Sequence, residues 1–292
     1  MRFLPSCLRP LAYAALASSL LLTAGCHKTT EQPDEDVTTA QDTSDANVEN
    51  ALSAEAVHSL DPTTTSSTSA NPEAASADYA SPAADFRVRF GSCATRTYDA
   101  ATRQLTIDFG STNCLCPDGR YRRGQLIVQF TTEVNTRRAG AIVTRNNYFV
   151  NNNQHTATRI FTDQGQGSFT VSVPSASVIY AAANGGGTHS WTANWLFTRT
   201  AGYGTATTLD DVYNVTGSAT GTNRKGVGYT TSIQTPLVKR GDCLKYYVHG
   251  TVSLNNTNGR TLLLDYDPAN TQACDNSATV TVNGRTYTIT LR

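Results

Sequence analysis

The segment richest in reactive groups is Pro117-Asp-Gly-Arg120-Tyr121-Arg122-Arg123-Gly124, which reads as a turn between strands. Three guanidiniums around one tyrosine suit a phosphate or carboxylate, because such pairs are charge-assisted and can be bidentate. The plainer reading is a solvated turn whose arginines lie over neighbouring apolar surface. Asn223-Arg224-Lys225-Gly226 is a second basic turn. An aromatic row follows a different logic: Trp191, Ala193, Trp195 and Phe197 share one face of a strand, with Thr192, Asn194 and Thr198 opposite. Exposed, the row is a stacking platform for sugar rings. Buried, it is the centre of a core, where large aromatics supply most of the burial. The candidate ligand-binding residues are therefore Arg120, Tyr121, Arg122, Arg123, Trp191 and Trp195.

Catalytic signatures are sparse. No Gly-x-Ser-x-Gly elbow, His-Glu-x-x-His or phosphate loop occurs. Asp108 and Asp265 read as strand-end caps, although two carboxylates meeting in space would suffice to hydrolyse a glycosidic bond. Asp210-Asp211, Asp163 and Asp267 lack the spacing of a calcium loop. Cys114-Leu-Cys116 has no neighbouring His–Cys cluster to complete a metal site. No catalytic residue, metal or cofactor is assigned, and no nucleic-acid partner is expected.

Residues 1–25 read as a secretory signal: Arg2 and Arg9 precede a short apolar run, Leu11 to Leu22, too short to span a bilayer. The run ends in Leu22-Thr23-Ala24-Gly25-Cys26, which resembles the lipobox of bacterial lipoproteins. The resemblance implies acylation of Cys26, hence a membrane partner and an outer-membrane location, surface-exposed or facing the periplasm. Lys28 followed by Glu31, Asp34, Glu35 and Asp36 looks like the surface-export signal of some Bacteroidota lipoproteins.

Residues 26–84 are expected to be the lipidated cysteine and a disordered acidic tether rich in Ser, Thr and Ala. Such a composition buries too little apolar surface to offset its ordering entropy. The whole chain has formal net charge +0, unevenly divided. Residues 27–84 carry eleven acids and one base, whereas 85–292 carry twelve acids and twenty bases, a balance of +8. That asymmetry suits anionic envelope surfaces such as lipopolysaccharide or acidic glycans. Equally, it suits charge balance between tether and domain.

Residues 85–292 are expected to be one all-β domain, an antiparallel β-sandwich or elongated β-meander of roughly 11–14 short strands with almost no helix. Phe86/Val88/Phe90 and Leu105/Ile107/Phe109 alternate as strands do, and no window sustains a helical period. Leu244 to Leu254 alternate in the same way. Asn283-Gly284 predicts a two-residue type I′ hairpin pairing Val280 with Tyr287 and Ala278 with Ile289.

A weak internal repeat links the two ends of this domain. Arg103-Gln-Leu-Thr-Ile-Asp108-Phe109 then Cys116 parallels Arg260-Thr-Leu-Leu-Leu-Asp265-Tyr266 then Cys274, each preceded by another cysteine, Cys93 or Cys243. In an exported chain the repeat argues for a Cys243–Cys274 disulfide, and for Cys93 with Cys116 or Cys114. The β-domain, with Cys-Pro-Asp-Gly-Arg-x-Arg-x-Gly and a terminal Cys-Asp-Asn before Asn-Gly-Arg, resembles uncharacterised Bacteroidota lipoproteins. That resemblance implies a cell-envelope binding or structural module. The alternative is a β-fold glycan hydrolase.

Overall fold

The computed structural model describes residues 34–58, 82–131, 140–205 and 207–291. Cys26 and the leader lie outside them. Among the described residues two α-helices, α1 (Asp34–His58) and α2 (Pro82–Phe90), precede fourteen strands. The strands are β1 (Thr95–Asp99), β2 (Gln104–Asp108), β3 (Cys114–Leu115), β4 (Tyr121–Phe130), β5 (Ala141–Val150), β6 (Asn153–Gly165) and β7 (Ser168–Ile179). They continue as β8 (Thr188–Ala201), β9 (Val212–Thr222), β10 (Gly228–Arg240), β11 (His249–Asn256), β12 (Thr261–Asp265), β13 (Ser277–Val282) and β14 (Arg285–Thr290). All belong to one antiparallel sheet in sequence order, with β3 added beside β4. This is the expected all-β meander. No helix among the described residues is long and apolar enough to cross a membrane.

Local chemistry accounts for the pairing. Asn283 and Gly284 both adopt positive φ, and the turn they make sets Val280 opposite Tyr287 and Ala278 opposite Ile289, as the hairpin signal requires. In β8 every second residue from His189 to Arg199 is buried, while Thr188, Ser190, Thr192, Asn194, Leu196 and Thr198 face solvent. Thus the sheet has an apolar inner face and a hydroxyl-rich outer one. The β11 alternation holds only from Val248 onward. Residues 243–247 are an irregular segment ahead of the strand, which buries Tyr247 and leaves Tyr246 half-exposed.

The largest departure from expectation is α1. Part of the segment expected to be a tether is a 25-residue helix whose described side chains are nearly all buried. It contains no Gly or Pro, has several alanines, and carries Asp36 in its first turn, at the positive end of the helix dipole. Its side chains reach strands far apart in the meander. Asp36 meets Arg260 and Asn256, Asn47 meets Tyr266, Asp42 meets Arg224, and Glu49 meets Arg145. Asn47 and Glu49 point about 200° apart on the helix. The sheet therefore curls around α1. The composition rule failed because α1 adds buried charges and hydrogen bonds to the modest apolar area of side chains such as Ala51, Leu52 and Val57.

The α2 segment is also not the strand that Phe86/Val88/Phe90 suggested. As a helix it places Phe86 and Phe90 on one buried side and leaves Val88 exposed. Asp85 accepts hydrogen bonds from the Thr208 backbone N–H and hydroxyl, and Phe90 packs edge-on to Phe109.

Two disulfides close the ends of the meander, Cys243–Cys274 and Cys93–Cys114. Cys116, the other candidate partner of Cys93, is a buried free thiol. The repeat placed the bridge correctly, but β3 aims Cys114 rather than Cys116 at Cys93. Asp108 and Asp265 play matching roles, each accepting the backbone N–H two residues on.

Candidate anion-binding site

The basic turn separates into two directions. A strand sends alternate side chains to opposite faces. Arg120 and Arg122 therefore point inward and Tyr121 and Arg123 outward, so the expected converging trio does not form. Arg122, fully buried, holds Asp118 with two hydrogen bonds of 2.7 and 2.6 Å and donates from Nε to the Tyr148 hydroxyl at 3.1 Å. Arg120 donates to Glu49 of α1 at 3.4 Å. Outside, Arg123 bonds Asn113 and Asn152 and lies 3.8 Å over the Phe149 ring, and Tyr121 is 47% exposed.

The tryptophan row is core. Trp191 and Trp195 are 3% and 5% exposed, and Trp191 stacks on His189 at 4.5 Å. Neither is available to a sugar, which corrects the platform reading. Phe197 stacks on Phe169 at 4.8 Å in the same layer. Arg224 of the second basic turn is taken by Asp42 and by the Tyr180 ring. Asp211 is paired with Arg199, and Asp267 with His249 at 3.1 Å. Among the described residues no three His, Cys, Asp or Glu side chains converge as metal ligands.

What the inward arginines do meet is a buried polar cluster around Glu49. Arg145 of β5 donates to Glu49 Oε2 at 2.6 Å, and His155 Nδ1 of β6 lies 3.9 Å from the same oxygen. Arg159, also of β6 and fully buried, donates from Nε to Asn50 Oδ1 at 2.6 Å. Its Nη1 and Nη2, together with Nε and Nη1 of Arg145 and Nδ1 of His155, make no hydrogen bond among the described residues.

Electrostatics follow from this crowding. Burial alone would raise the Glu49 carboxyl, but Arg145, His155, Arg120 and Arg122 overcome it and hold it down at about 2. Burial pushes His155 down to about 3, so its ring is neutral at pH 7. Burial, aided by the neighbouring Arg145 charge, drives Arg159 well below the usual guanidinium range. Burial likewise raises the Tyr148 hydroxyl to about 12.

Beside this cluster the sheet is open. Val143 pairs with Arg159, but the next β5–β6 pair is Phe149 with Gln154, which leaves the intervening residues off the ladder. The β4–β5 register also shifts here, between Arg123 and Gln125. Gly124 bulges at φ +86°, and a Cβ there would sit 2.0 Å from the Asn147 carbonyl oxygen. Only glycine admits that approach. The opening, about 300 Å³, is lined by Thr144, Arg145, Thr156, Ala157, Thr158, Ser175, Ala176 and Ser177.

Arg145, Arg159, His155 and Glu49 were absent from the sequence-based candidates. A signal existed in β6, where the period that buries Ala157 and Phe161 also carries His155 and Arg159 to the inner face. Comparison with family models, with curated proteins and with solved structures finds no match.

Proposed function

We propose that this chain is a non-catalytic binding module of the bacterial envelope, held at the outer membrane through an acylated Cys26. On this reading residues 1–25 are a removed signal, and the partner is an anionic envelope component, an acidic glycan or the phosphates of lipopolysaccharide. The observation that carries the binding reading is the cationic interior beside an opening: Arg145 lines the opening and reaches Glu49, with Arg159 next to it. Buried guanidiniums are costly unless matched by anions, and among the described residues Glu49 pairs with both Arg120 and Arg145. The +8 balance of residues 85–292 would help draw such a partner in.

Two measurements test the reading. Cys26→Ser should move the protein from the membrane pellet to the soluble fraction, and a variant that still pellets would place the anchor elsewhere. Titration with lipopolysaccharide and an acidic polysaccharide should show binding that weakens steeply with salt, since screening falls to about 8 Å at physiological ionic strength. Absence of binding at low salt would end the envelope-ligand reading.

A further inference from the structure

Deepening that reading, and resting on its assignment of the interior as the binding element, we propose that the opening between β5 and β6 is a subsite for a small acidic sugar. The sugar's phosphate or carboxylate is taken by Arg145 and Arg159, and its hydroxyls by the threonines and serines of the mouth. Three independent features converge on this.

The first is size. About 300 Å³ is the lower end of small-ligand pockets, enough for one monosaccharide and too little for a lipid chain. Next is the lining, in which five hydroxyls, from Thr144, Thr156, Thr158, Ser175 and Ser177, surround the mouth. Thr156 and Ser177 face each other across β6 and β7 at 2.9 Å, a spacing at which each can also bond a ligand hydroxyl.

The third is charge. Among the described residues Arg120, Arg122, Arg145 and Arg159 bring guanidiniums to the cluster, and Glu49 and Asp118 bring carboxylates. Arg145 lines the mouth, and its side chain, 1% exposed, turns inward from there. Only its Nη2 is spent on Glu49, and Arg159 spends only Nε on Asn50. Their remaining N–H groups are the donors a phosphate or carboxylate needs. Burial and Arg145 both act against the Arg159 cation, and an anion at this point reverses that effect.

The test is calorimetric titration of the full-length protein with glucose 6-phosphate, glucuronate, glucose and inorganic phosphate at fixed ionic strength. One equivalent of glucose 6-phosphate or glucuronate should bind, with glucose and inorganic phosphate each at least tenfold weaker. Arg159→Met should lose at least tenfold in affinity for the acidic sugars. Ser175→Trp, which fills the mouth at an exposed position, does the same without touching the interior and guards against a misfolded Arg159 variant. Glu49→Gln should gain about tenfold, because a competing negative charge is gone. Inorganic phosphate binding as tightly as glucose 6-phosphate overturns the sugar assignment. No binding of either acidic sugar, or binding unchanged in both Arg159→Met and Ser175→Trp, overturns the subsite. Acidic-sugar binding without binding to envelope polymers sinks the broader reading and leaves the subsite standing, so the two fail separately.

Discussion

Replacing Glu49 by Gln tests whether α1 is held inside the sheet by charge. The variant keeps the shape and one hydrogen-bond acceptor but removes the counter-charge from Arg145 and Arg120, both buried. Two routes give the magnitude. Glu49 falls from an ordinary 4.5 to about 2 in the fold, which corresponds to about 3 kcal/mol favouring the ionised folded form. Breaking a buried ion pair by deleting one partner costs about 3–5 kcal/mol. The sign is fixed by the depressed carboxyl. Its contribution is complete above pH 4.5 and disappears as pH falls toward 2. Urea unfolding should therefore place Glu49→Gln about 3 kcal/mol below the wild type at pH 7, with the gap closing toward pH 2. His155 adds a separate fall in stability between 6.5 and about 3, because the unfolded chain takes a proton that the buried ring resists. Equal stability of the two proteins at pH 7, or a gap independent of pH, would refute an electrostatic role for Glu49.

Three further outcomes follow from the fold. Cys243→Ser opens a bridge of sequence separation 31 and should cost about 3–4 kcal/mol, while thiol labelling of the wild type should reach Cys116 only after unfolding; labelling of Cys116 in the native protein would contradict its burial. Gly124→Ala should destabilise by about 2 kcal/mol or more, since the added Cβ meets the Asn147 carbonyl and the positive φ disfavours a side chain; a neutral result by thermal melting would mean the bulge is not fixed by glycine. Tryptophan emission should be blue-shifted and poorly quenched by acrylamide in the native state, and strong quenching would restore the exposed-row reading.

Much of the sheet was legible because strands carry a period of two. The Asn283-Gly284 hairpin, the inward face of β8 and the Cys243–Cys274 bridge all follow from local alternation and turn chemistry. The helix was not legible. Periodicity detects an element by contrast between an apolar and a polar face, and α1 has almost none because every face meets protein. Its partners are arginines, tyrosines and asparagines of the sheet and its loops, 71 to 224 residues away. The same blindness hid the site. Arg120 and Arg122 were singled out as neighbours of Arg123, yet alternation separates them from it and turns them inward, Arg122 to Asp118 and Tyr148 and Arg120 to Glu49, whose own segment looked like a solvated tether. The charge division did carry part of the message: of the eleven acids before residue 85, Asp36, Asp42, Asp45 and Glu49 meet arginines from the basic part of the chain.

A helix enclosed by a sheet that ends with the last strands imposes an order on folding. Asp36 and Arg260 are 224 positions apart, and Asn47 and Tyr266 are 219. Contacts of such separation slow folding, because the entropy of closing a long loop must be met before they form. The helix emerges first in synthesis and has little apolar surface with which to collapse alone. It must wait in water, where its carboxylates are well solvated, until strands from β4 to β12 arrive with the matching arginines. An acidic, polar α1 is suited to that interval, since it does not invite aggregation while unpaired. The late-arriving guanidiniums then act as the latch that completes the wrap, so the slowest kinetic phase should be the one in which α1 becomes protected from amide exchange.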